Sequence, residues 1–158
     1  MAAGVAFALV LLMAPGLAGA EGSGPTRAEY VERVEPICEQ ETLAHGHLLQ
    51  GVQGMVQRGE SERAAPRLTR AAAALHAAVR RLAAVPQPPA DAARLGRWLG
   101  YASRGEGLLR QMSAALRSGD RNQAQALAQQ LLHDSRLANA TVVGFRFDYC
   151  RVSPARLA

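Results

Sequence analysis

The chain has 158 residues, the length of one domain with a processed segment at one end. Apolar residues make up 49% and charged residues 20%, a balance that excludes wholesale disorder. All 18 basic residues are arginine, set against 13 acidic ones for a formal net charge of +5, and two cysteines are too few for a disulfide-dense mini-fold or a four-cysteine zinc site.

Residues 1–20 carry no charged side chain. Residues 5–13 are a nearly unbroken apolar run, Pro15-Gly16 breaks it, and Ala18-Gly19-Ala20 has the small-x-small form of a signal-peptidase site before Glu21. That order of parts predicts a secretory signal, although no Lys or Arg precedes the apolar run. An uncleaved membrane anchor is the alternative, since ~20 apolar residues can span a bilayer. Pro15 and the neighbouring glycines argue against it. Residues 21–25 then read as a short linker, and the expected compartment is extracytoplasmic. In an oxidising compartment two cysteines in one small domain usually pair, so Cys38 and Cys150 are expected to form a disulfide, with two buried thiols as the alternative.

A helical domain is expected over residues 26–150, with residues 151–158 as a tail. Thr26-Arg27-Ala28-Glu29 has the form of a capping box. From there Tyr30, Val34, Ile37, Cys38, Ala44, Leu48, Val52 and Met55 fall in one helical stripe. Pro36 predicts a kink, or two short helices with Pro36 in a first turn; Gly59 ends the segment. The second helix starts within residues 61–66 and carries Leu68, Ala72, Leu75, Val79 and Leu82, until Pro86-Gln87-Pro88-Pro89 stops it. The third starts near Ala90-Asp91, carries Leu95, Trp98, Leu99, Ala102, Leu109, Met112 and Leu116, and ends at Gly119. Asp120 caps the fourth, with Ala124, Leu127, Leu131, Ala138 and Val142, which Gly144 closes. Phe145, Phe147 and Tyr149 alternate too briefly to predict a strand.

Four amphipathic helices with short connections predict an all-α, antiparallel up-down bundle with a kinked first helix. That topology sets the start of the first helix beside the end of the fourth, where the two cysteines lie. About a fifth of the residues are alanine, which gives a thin core. A disulfide closing so long a loop is therefore a large part of the expected stability, roughly 4–5 kcal/mol by chain entropy.

Several features occur together: an export signal, Tyr30 to Ile37-Cys38 at the start, the proline-rich turn before Leu95 to Trp98-Leu99, the Gly119-Asp120 turn, and Gly144-Phe145 leading to Cys150. In this combination the chain resembles small exported helical proteins of unknown function from GC-rich bacteria. The resemblance implies the bundle and the two terminal cysteines, and no catalytic residue.

The chain holds no phosphate-binding loop, dinucleotide fingerprint, nucleophile elbow or His-Glu-x-x-His motif. No histidine pair has the Glu-x-x-His spacing of di-iron bundles, and no cofactor or metal is expected. Arg80-Arg81 is the only adjacent basic pair, and no basic cluster is interleaved with aromatics, so nucleic acid is not an expected partner. The other arginines are spread, many beside Glu or Gln, and read as a solvated helix face; the partner is left open, with weak attraction to envelope components or anionic polymers as the alternative reading. One constellation is sharper. On helical wheels Glu41 and His45, spaced i,i+4, fall inside the first apolar stripe, and Asp134 falls inside that of the fourth helix, with Ser135 at its edge. His45 lies about 10 Å below the cysteine level at ~1.5 Å per residue, and Asp134 at a similar depth. The group is expected to form a buried polar network or a small-ligand or metal pocket, unless Pro36 turns Glu41 and His45 to water. The expected function is that of a non-enzymatic, exported binding or interaction module, the alternative being a metal- or small-ligand-binding bundle that uses these three residues.

Overall fold

A computed structural model describes residues 24–151; the signal-like segment and residues 152–158 lie outside it. The described chain is an antiparallel four-helix bundle with a bent first helix. That first helix is α1 (Arg27–Leu49), continued by a short α2 (Val52–Gln57), and α3 (Ser61–Ala83), α4 (Ala92–Arg117) and α5 (Arg121–Thr141) complete the bundle. Two 3₁₀ turns, Pro89–Asp91 and Val143–Phe145, flank α4 and follow α5. No strand occurs among the described residues.

Local chemistry explains most boundaries. Thr26 Oγ1 accepts from the Glu29 amide at 3.3 Å, and Glu29 Oε2 accepts from the Thr26 amide at 2.7 Å, a complete capping box. The Thr26 amide foremost, and the Thr26 hydroxyl donating to the same Glu29 oxygen at 2.9 Å, hold the Glu29 carboxyl below its ordinary range. The Asp120 carboxylate accepts from the Gln123 amide at 2.8 Å and starts α5. α4 ends in a Schellman turn, with Gly119 at φ 78° and its amide on Leu116, while the Asp120 amide reaches Ala115.

Of the two forms expected at Pro36, the structure corrects the pair of short helices. α1 runs unbroken through Pro36, whose ring lies on the exposed side of the helix. Water can satisfy the carbonyl left unbonded there, so the missing N–H does not end the helix. The break falls instead at Gly51, which is left-handed at φ 73°. Arg67 Nη1 donates to the Gln50 carbonyl at 2.8 Å and ties that turn to α3.

The core has two unlike ends. Tyr30, Val34, Leu95, Trp98, Val142, Phe145 and Phe147 fill the end nearer the chain termini. Phe145 and Phe147 stack at 5.2 Å, Trp98 lies 5.5 Å from Phe147, and Tyr30 meets Phe145 edge-on at 6.3 Å. The brief alternation in the tail is therefore aromatic packing. At the other end Val52, Met55 and Leu68 pack with Ala64, Ala65, Ala71 and Ala72. A buried Leu or Phe side chain contributes roughly 1.5–3 kcal/mol and a single methyl group about 0.8 kcal/mol, so the aromatic end holds the larger share.

Arg27 joins three segments at that aromatic end. Its guanidinium donates to both carboxylate oxygens of buried Asp91, at 2.8 and 2.9 Å, and lies over the Phe145 ring at 4.9 Å. The Glu35 carboxylate accepts from the amides of Tyr149 and Cys150, at 2.9 and 3.3 Å, so that α1 holds the tail. Cys38 and Cys150 are disulfide-bonded across 112 residues of sequence.

Candidate functional site

The helices pack in the order α1 on α3, α3 on α4 and α4 on α5, while α1 and α5 scarcely touch along their length. The loose seam opens onto a cavity of about 250 Å³ in the middle of the bundle, between its two cores. Ligand pockets run roughly 300–1,000 Å³, so this one suits a small molecule or a single chain.

Helical spacing builds the walls. α1 presents Cys38, Glu41, Thr42, His45 and Leu49, and α4 presents Trp98, Tyr101, Ala102, Gly105 and Leu109. Both sets follow i, i+3, i+4, i+7, i+11, one face of a helix. α3 adds Leu75, Ala78 and Leu82; α5 adds Leu131, Asp134, Ser135, Ala138 and Asn139. Among the residues that line it, Ala78, Ala102 and Ala138 are small and Gly105 has no side chain. At Gly105 itself a Cβ would sit 3.2 Å from Leu131 Cδ1, so α4 and α5 already approach closely there.

All three residues singled out on the helical wheels line this cavity. Glu41 Oε1 meets His45 Nδ1 one turn along α1, and both side chains are largely buried. Asp134 is buried on α5 and accepts from Arg104 Nε at 3.2 Å. Arg104 in turn lies 4.2 Å over the Tyr101 ring. The structure thus divides the three into two pairs, each answered by its own cation-capable partner. Among the described residues no group of three His, Cys, Asp or Glu side chains is placed to hold a metal ion. A pocket at these three residues was one of the readings the sequence offered; Arg104 as the partner of Asp134, and the extent of the cavity, were not. The signal available was small residues, Ala102 and Gly105, in the middle of an otherwise bulky stripe.

The other polar side chains serve structure. Ser135 Oγ donates to the Leu131 carbonyl at 2.8 Å, and Ser113 Oγ, fully buried, donates to Ala65 at 2.7 Å and meets Thr69 Oγ1 at 2.8 Å. His76 pairs with Glu106 at 2.9 Å on the surface, and His47 and His133 are exposed. Arg81 donates to Gln40 at 2.9 Å across the α1–α3 seam. Among the described residues no helix is long and apolar enough to cross a membrane. Comparison with protein-family models, with curated proteins and with solved structures returned no match.

Proposed function

We propose that this protein is an exported, non-enzymatic binding module whose ligand seat is the cavity between α1 and α5. The observation that carries this reading is the cavity itself, where Leu, Ala and Trp side chains stand beside polar and charged ones at fixed places. An apolar occupant would remove its own surface and that of the leucines and Trp98 from water together. The cysteines are committed to the disulfide and Ser135 to the backbone, which leaves the cavity no free nucleophile of those kinds. Export is supported by the apolar segment before Ala18-Gly19-Ala20 and by a disulfide, a bond that persists in oxidising compartments.

Trp98 is the only tryptophan in the chain and forms part of the cavity wall, so its fluorescence reports directly on occupancy. Titration with a neutral apolar probe such as decanol is expected to change that emission saturably. The same ligand should raise the melting temperature in a concentration-dependent way. Unchanged emission and melting across the accessible concentrations would refute the binding module. Intact mass of the protein recovered outside the cytoplasm should correspond to a chain starting at Glu21; a mass including residues 1–20 would refute cleavage.

A further inference from the structure

Resting on the ligand seat proposed above, we infer that the natural occupant is a free, single-chain anionic amphiphile, its tail in the cavity and its acidic head at the mouth. The charges around the cavity carry this inference. The two carboxylates in its walls are already answered: Glu41 meets His45, and Asp134 meets Arg104. The two guanidiniums that line it, Arg136 on α5 and Arg151 in the tail, are exposed and have no ion-pair partner among the described residues. Among the described residues, the charge lining the cavity without an ion-pair partner is therefore positive, and the protein as a whole carries +5.

Arginine suits such a head group because its planar fork can give two parallel N–H donors to a carboxylate or phosphate. The interior suits the tail. Leu75, Leu82 and Leu109 with Trp98 offer an apolar lining, and the volume admits one alkyl chain rather than two. A cationic amphiphile would set its head beside Arg136 and Arg151 and suffer their repulsion. A bilayer surface would leave the tail site empty, since a packed lipid keeps its chains in the membrane.

The test compares decanoate, decanol and decyltrimethylammonium on the purified protein, each below its micelle concentration, by Trp98 fluorescence and calorimetry. Decanoate is expected to bind about tenfold more tightly than the ammonium compound and to lose affinity as salt is raised, whereas decanol should be indifferent to salt. Arg136→Ala and Arg151→Ala are surface changes that leave the fold intact. Each should weaken decanoate roughly 2–5-fold without altering decanol, as expected for exposed ion pairs. If none of the three binds, the ligand seat itself is refuted. If decanol binds but decanoate is no tighter than the ammonium compound, the seat stands and the anionic head is refuted. Binding to anionic vesicles without binding free decanoate would likewise overturn the proposal in favour of a membrane surface.

Discussion

Tyr30 is the largest fully buried side chain of the bundle, and its hydroxyl has no hydrogen-bond partner among the described residues. Burial pushes its phenol from 10.0 up to about 12. A raised pKa means that the folded state keeps a proton the unfolded chain gives up. Its contribution is complete below pH 10 and is lost as pH climbs from about 10 to about 12, by on the order of 2–3 kcal/mol. Urea melts across that range should show the decline, and Tyr30→Phe should remove most of it. At neutral pH the same substitution is expected to be neutral or stabilising by up to about 1 kcal/mol, because it removes an unpaired buried oxygen. Marked destabilisation of Tyr30→Phe would reveal a partner for the hydroxyl. The paired groups of the cavity behave otherwise. Glu41→Ala leaves His45 buried without its carboxylate and should cost about 1–3 kcal/mol. Asp134→Ala should cost less, since Arg104 is half exposed and returns to water. The two pairs share no hydrogen bond, so the double mutant should be additive within about 0.5 kcal/mol. Larger coupling would show that they act as one network.

At the scale of elements, turn chemistry rather than apolar pattern decides where helices stop. α1 ends at Gly51 because the chain there adopts a left-handed conformation that most residues resist by roughly 1–2 kcal/mol. A Cβ at Gly51 would meet nothing within 4 Å, so the cost of Gly51→Ala is that of the backbone alone. Denaturant unfolding should show a loss of about 1–2 kcal/mol for Gly51→Ala and a smaller one for Gly51→Asn, since asparagine tolerates this region. Equal losses would place the cost elsewhere. The α2–α3 turn is closed by charge as well. Arg58 and Arg63 both reach Glu60, at 2.7 and 2.8 Å, and the Arg58 hydrogen bond leads in lowering the Glu60 carboxyl below its usual value. What these exposed pairs add is present at neutral pH and lost as pH falls through the carboxylate range.

For the whole molecule the disulfide carries a topological load. α1 packs on α3 but scarcely on α5, so the Cys38–Cys150 bond and the Glu35 contacts to the tail join the two outer helices at one end. Closing a loop of this length removes about 4–5 kcal/mol of chain entropy from the unfolded state. Reduction, or Cys38→Ser with Cys150→Ser, should therefore lower stability by roughly 2–5 kcal/mol in urea melts. It should also weaken any ligand in the cavity, whose wall includes both cysteines. Unchanged stability after full reduction would mean that the aromatic core alone holds the seam.

The all-helical class, the order of the helices, the capping box at Thr26 and the pairing of Cys38 with Cys150 were legible in the sequence by itself. Each depends on a local period, on a side chain beside its own backbone, or on a topology that leaves one arrangement for two cysteines. The inward faces of Glu41, His45 and Asp134 were legible for the same reason, since a wheel needs only the helix. Their partners were not. Arg104 meets Asp134 across 30 residues, and Arg27 meets Asp91 across 64, distances at which periodicity says nothing. Tertiary structure also decided that Pro36 faces water and is tolerated. It decided too that faces of α1, α3, α4 and α5 together line one cavity, on which the functional reading rests. A cavity belongs to no single helix: it is the volume left between packed faces, and only their assembly determines it.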